Sequence, residues 1–163
     1  MAYRVILILL ALASPLRAAE PVAFFGMTLL DGSLQSAELG PDPAEAQRIK
    51  TLNQMVTKAF AAGGYRLVDV SPVQETLART VNPAKCYGCE IRMAEKLGAE
   101  FALVGEVLKI SNLILTMNLQ LREVTTGETV KGRVVEIRGN TDASWMRGMR
   151  YILKTAFFKR EEP

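Results

Sequence analysis

The chain of 163 residues has no histidine, two cysteines and one tryptophan, and each scarcity excludes chemistry. Without histidine, neither a serine-histidine nor a cysteine-histidine nucleophile pair can be assembled, and histidine metal sites are ruled out. Cys89 is followed by Glu90, so haem attachment through C-x-x-C-H is excluded. Two cysteines are also too few for a cysteine-only zinc centre. Neither G-x-G-x-x-G nor G-x-x-x-x-G-K-[ST] occurs, which removes the dinucleotide fingerprint and the phosphate loop. The carboxylates Asp69, Glu106, Glu123 and Glu136 lie on expected strands at no spacing that pairs them, and read as solvated or salt-bridged side chains rather than general acids. The expectation is a non-enzymatic protein with no cofactor and no metal.

A long uninterrupted apolar run is lacking too. Arg4 gives a short positive start, Val5 to Ala13 an apolar stretch, and Leu16-Arg17-Ala18-Ala19 a small-residue exit. Ser14-Pro15 interrupts this segment well short of the roughly 20 residues that a membrane span needs. Residues 1–19 therefore read as a cleavable secretory signal peptide, with cleavage near Ala18 or Ala19. No cysteine precedes Cys86, so no lipidated cysteine is expected at a mature N-terminus. The expected product is periplasmic or secreted, with no stable membrane anchor after cleavage. Of the 20 basic residues two fall in the signal, leaving 18 against 17 acidic ones. A balance so near neutral gives no general reason to expect nucleic acid as a partner.

What is present is an α+β pattern. Leu113 to Arg122 alternates apolar and polar positions from Thr116 onward, the period of a half-buried strand. Ser111-Asn112 before it and Thr126-Gly127-Glu128 after it supply turn residues, so Phe101 to Arg138 reads as a three-strand antiparallel meander. In its last strand Val130 and Val134 sit on one parity and Val135 and Ile137 on the other, which predicts a bulge near Val134-Val135. Upstream, Pro21 to Leu30 is a first strand, followed by a loop to Pro41. Asp42-Pro43-Ala44-Glu45 opens a helix with Asp42 as N-cap and Glu45 reaching back in a capping box, and Gly63-Gly64 closes it. Tyr65 to Val70 is a second strand, and Ser71-Pro72 caps a short helix to about Arg79. Glu90 to Leu97 is another helix. Gly139-Asn140-Thr141-Asp142 begins a final one, with Trp145, Met149, Ile152 and Ala156 inward and Arg147, Arg150 and Lys154 outward. The predicted order is β-α-β-α-α-β-β-β-α, a mixed sheet with helices packed on it, in one domain over residues 20–163.

Cys86 and Cys89 alone have an obvious reactive repertoire. In an oxidising compartment they are expected to form a structural clip; the alternative is a thiol-disulfide redox pair, since a helix N-terminus favours a thiolate. The loop Asn82-Pro83-Ala84-Lys85 precedes the pair, where thioredoxin-like oxidoreductases have a strand and usually a tryptophan. Two surfaces are candidate binding sites: the polar strand face of Thr116, Asn118, Gln120 and Arg122, and the outward arginines Arg147 and Arg150, which could meet an anionic polymer or lipid headgroups.

Cys86-Tyr87-Gly88-Cys89 with Leu97-Gly98-Ala99, then Ser111 to Leu115, Thr126-Gly127 and above all Ile137-Arg138-Gly139-Asn140-Thr141-Asp142 with Ser144-Trp145 and Arg147-Gly148 resemble an exported bacterial family of unknown function, the DUF3280/DUF2380-type predicted periplasmic proteins. The match runs from about Phe24 to about Leu153. Some relatives are described as predicted lipoproteins, from which this chain departs in lacking the lipidated cysteine. In layout it is more distantly similar to the N-terminal domain of the Tol-system protein TolB and to CsgG-like domains of the curli secretion channel. The resemblance implies a mixed sheet with helices and an envelope setting, with no catalytic residues to carry over. The combined expectation is an envelope accessory or adaptor that binds another envelope protein or an envelope polymer. A small-ligand sensor is a further possibility for which no site is evident.

Overall fold

The computed structural model describes residues 19–158. The expected signal segment, apart from its last residue, and the polar tail from Lys159 lie outside the described residues. Five strands form one mixed sheet in the order β2-β1-β3-β4-β5. β1 (Pro21–Asp31) is parallel both to β2 (Arg66–Leu67) and to β3 (Phe101–Lys109). β3, β4 (Ile114–Glu123) and β5 (Thr129–Arg138) run antiparallel as the predicted meander. The fold class is the expected α+β one.

The helices divide between the two faces of the sheet. On one face lie α2 (Pro43–Ala62) and α5 (Asp142–Ile152), the latter continued by a π-helical turn over Leu153–Phe157. Phe60, Leu52, Trp145 and Met149 from these helices pack with Leu103, Leu119 and their neighbours in a large cluster, where each of the six is fully buried. The other face carries α3 (Gln74–Ala78) and α4 (Cys89–Lys96) over a smaller cluster rich in alanine. Residue parity along β3 explains the division: Leu103 and Val107 enter the first cluster, Ala102 and Val104 the second. β3 is thus covered on both sides, as its unbroken apolar run predicts.

Four local expectations are corrected. The loop to Pro41 contains a short helix, α1 (Leu34–Leu39), because Ser33 caps it and Asp31 accepts from both the backbone and the hydroxyl of Ser33. The second strand is only two residues long, since it pairs with nothing but the start of β1. Asp69, not Ser71, supplies the accepting group before α3: its carboxylate takes the Ser71 N–H at 3.0 Å and hydroxyl at 2.7 Å, which lowers its pKa. Finally, β5 has no bulge at Val134-Val135. Its register is continuous from Arg138 to Lys131, with the shift further on, opposite Leu121-Arg122. Val135 and Ile137 turn to the core, and Val130 and Val134 are simply exposed.

Two glycines set the helix–sheet geometry. Gly26 has φ of +87° at the point where the β1–β3 register shifts, and the displaced Met27 N–H is taken by Asn53 Oδ1 from α2 at 2.8 Å. At Gly148 a Cβ would stand 2.7 Å from the Ile137 side chain, so glycine is what lets α5 lie close against β5.

Candidate functional site

The residues singled out in the sequence fall into three groups, the last divided between the two faces of the sheet. The first holds the Arg138-Gly139-Asn140-Thr141-Asp142 segment that carries the resemblance. Lys109, at the end of β3, is 1% exposed and donates to Glu45 Oε1 at 2.6 Å, Asp31 Oδ2 at 3.0 Å and Ser36 Oγ at 3.0 Å. Burial opposes its charge, yet the two carboxylates outweigh that and hold its pKa above the ordinary lysine value. Burial likewise favours a neutral Asp31, but hydrogen bonds from Ser33, Ser36 and Lys109 win and keep this carboxyl well below the usual range. Glu45 does not reach back in a capping box, because a buried ammonium is a stronger partner than an exposed backbone N–H. Asp42 caps α2 as predicted.

Asn140 joins this cluster to α5. Its amide donates to Glu45 Oε1 at 2.6 Å, and its carbonyl accepts from the Trp145 indole at 3.0 Å and from Arg48 at 3.2 Å. Thr141 is the N-cap of α5, and Asp142 pairs with Arg48 at 2.7 Å. Trp145 is wholly buried, as its place in the inward stripe predicts. The segment is therefore a latch that fastens the β5–α5 turn to α2, with its polar atoms occupied internally. Glu45 Oε2 is the exception, buried without a hydrogen-bond partner.

The second place is the cysteine pair. Cys86 and Cys89 are disulfide-bonded, with Cα atoms 5.4 Å apart, at the N-terminus of α4. Between them Tyr87 is fully exposed, with φ of +56°. Behind them Glu90, 1% exposed, lies 3.0 Å from Cys86 Sγ and pairs with Arg122, which also donates to the Gly127 carbonyl. Cys86, Cys89 and Glu90 bring possible ligand atoms within 4.8 Å of one another. With both sulfurs in the disulfide, they offer a cation no thiolate.

The third place comprises the two candidate binding surfaces, which lie on opposite sides of the sheet. Thr116, Asn118, Gln120 and Arg122 share the face of β4 turned towards α3 and α4, opposite in parity to the core residues Met117 and Leu119. They are not equally available. Asn118 is buried, with Oδ1 lacking a partner, and Arg122 is engaged by Glu90, while Thr116 and Gln120 are half-buried. Arg147 and Arg150 are exposed on α5, on the other side. Arg147 lines an open cleft of about 550 Å³ between α5 and β5, with Arg133, Val135, Ile137 and Tyr151. Arg133 was not predicted as a site residue. It belongs with Arg147 only because β5 is the last strand of the sheet, which strand order alone reveals.

The model of the family DUF3280, described as "Protein of unknown function (DUF2380)", matches residues 20–157. The chain belongs to this family. No curated protein matches this DUF3280 member significantly. Among solved structures, it is similar to lipoprotein GNA1162 from Neisseria meningitidis, at 13% identity over 80% of this chain and 90% of that one, with a TM-score of 0.52. The C-terminal domain of LpoB from Escherichia coli gives 21% identity over 77% and 87%, at TM-score 0.49. TolB from Acinetobacter baumannii gives 13% over 84% of this chain but 28% of that one, at 0.39. At such identities the likeness concerns the fold alone. No helix among the described residues is long and apolar enough to cross a membrane.

Proposed function

We propose that this DUF3280 member is an exported, non-enzymatic accessory or adaptor of the cell envelope, binding another envelope protein or an envelope polymer. One observation carries the reading. The buried polar groups Lys109, Glu45 and Glu90 are each paired with a charged partner, whereas Arg133, Arg147 and Arg150 stand exposed with no ion-pair partner among the described residues, two of them beside an open cleft. Such a distribution suits recognition better than turnover. The fold shared with GNA1162, itself described as a lipoprotein, supports an envelope setting. Residues 1–19 act as the export signal, and the remainder folds as one domain.

The test is site-specific photocrosslinking in intact cells, with crosslinkers placed at Val134, Gln120 and Tyr87. A specific crosslinked envelope protein or polymer at any of these positions supports the reading. Loss of every crosslink, or multiple turnovers of a substrate by the purified chain, overturns it. N-terminal sequencing of the periplasmic fraction checks cleavage near Ala18 or Ala19. The thiol-disulfide alternative is separated by the double substitution Cys86→Ser/Cys89→Ser, which leaves crosslinking intact for an adaptor and removes activity from a redox protein.

A further inference from the structure

The β5 edge has hydrogen-bonding capacity that nothing among the described residues uses. Gly139 N–H donates to the Leu113 carbonyl, and the β4–β5 register pairs Leu115 with Ile137 and Met117 with Val135. Alternation along an antiparallel ladder then directs the odd-numbered β5 backbone groups to β4 and the even-numbered ones outward. Arg138 confirms the direction, since its carbonyl accepts from Ser144 Oγ at 2.9 Å, outside the ladder. Among the described residues, nothing pairs with the outward N–H and C=O groups of Gly132, Val134 and Glu136. Gly132, whose exposed surface is backbone alone, and Val134 and Glu136 are all exposed, so α5 and the π-helical turn leave this edge open.

Beside the edge runs the cleft floored by Val135, Ile137 and Gly148, with Arg133, Arg147 and Tyr151 on its walls. Glu136 contributes a carboxylate, but Arg138 pairs with it at 2.6 Å. Among the described residues, Arg133 and Arg147 have no such partner. The charge decides between occupants. A second copy of the chain laid against β5 would bring a second set of these arginines alongside the first, an arrangement that edge strands use to prevent self-pairing. A strand with carboxylates on the cleft side would neutralise them.

We propose that β5 is a docking edge for an extended acidic segment of a partner protein, added as a sixth strand, with carboxylates on the cleft side meeting Arg133 and Arg147 and the alternating apolar side chains on the other face beside the exposed Val134. This inference rests on the adaptor reading and names its surface and the chemistry of its partner.

The test uses the mature chain with synthetic peptides as long as β5: alternating glutamate and valine, alternating lysine and valine, and the acidic peptide interrupted by proline. Calorimetry measures affinity, and amide exchange by NMR reads protection. Only the uninterrupted acidic peptide is expected to bind, protecting the amides of Gly132, Val134 and Glu136. Val134→Pro removes an outward N–H without touching the β4 ladder, and is expected to weaken binding at least about tenfold. Arg133→Glu/Arg147→Glu, a surface change that leaves the strand intact, is expected to weaken it similarly and to remove its salt dependence. Equal binding of acidic and basic peptides, no binding of any peptide, or indifference to both variants overturns the proposal. So does concentration-dependent self-association abolished by Val134→Pro, which would make a second copy the occupant. Crosslinks at Gln120 or Tyr87 but not Val134 would sink the edge while sparing the adaptor reading; no crosslink anywhere would sink both.

Discussion

The two faces of the sheet carry the same kinds of group, buried carboxylates paired with a cation, but in different settings. On the α2/α5 face, Lys109 and Glu45 are enclosed together with the Asp31 carboxylate at their margin, and Asn140 extends the network to Trp145 and Arg48. On the α3/α4 face, Glu90 is as deeply buried, yet its partner Arg122 remains partly open to solvent. A second carboxylate on that face, Glu106, is held by Asn82 at 2.7 Å and by the exposed Lys85 at 2.8 Å. The first network joins elements far apart in sequence around a fully buried Lys109–Glu45 pair. The second ties a small alanine-lined layer to the sheet through its rim. Enclosure, more than the number of charges, sets how much each network matters to stability.

The contrast between the two networks is expected to be largest at Lys109. Lys109→Met leaves Glu45 and Asp31 without their cation, and is expected to cost about 3–5 kcal/mol in chemical denaturation. Arg122→Met, which strands Glu90 beside a solvent-accessible rim, is expected to cost less, about 2–3 kcal/mol. Equal losses would refute the contrast.

The pH dependence sharpens it further. Because the folded-state pKa of Asp31 lies below its unfolded value, its contribution is complete above about pH 4 and declines as pH falls towards the folded value. Asp31→Asn should therefore flatten the acid limb of the stability profile. Lys109 works in the opposite sense: its raised pKa stabilises the fold at all pH values below the unfolded lysine value, and that contribution is lost only as pH rises through the folded one.

Removing the disulfide with Cys86→Ser/Cys89→Ser closes the series on the α4 side. So short a ring is expected to contribute no more than about 2 kcal/mol. Arg147→Ala, at an exposed position, should move stability by less than about 0.5 kcal/mol.

The sequence made the meander, the α2 cap and the inward stripe of α5 legible, because each is written in neighbours or in a short period. Asp42 and Pro43 stand beside the helix they start, and Trp145, Met149 and Ile152 recur at helical spacing. Glu45 was misread for the converse reason. Its partner Lys109 is 64 residues away, and local grammar offered only the capping box. The β5 valines were misread because an apolar residue was taken to be inside, whereas an edge strand leaves Val130 and Val134 in solvent. α1 has no buried residue and so no stripe to detect. Of the candidate surfaces, Arg147 and Arg150 followed from periodicity. That they lie across the sheet from Thr116 and Gln120, and that Arg133 joins Arg147, depends on strand order.

Trp145 is the single indole of the chain, and it sits where α5, Asn140 and the Arg48 guanidinium meet, with that cation 5.9 Å from its ring centre. The protein thus carries a built-in optical probe at the junction of α5 with the latch. Its emission should be blue-shifted in the native state and move to the red when the latch opens, even if the sheet survives. Loosening of the β5–α5 turn could then be told apart from global unfolding without attaching a dye.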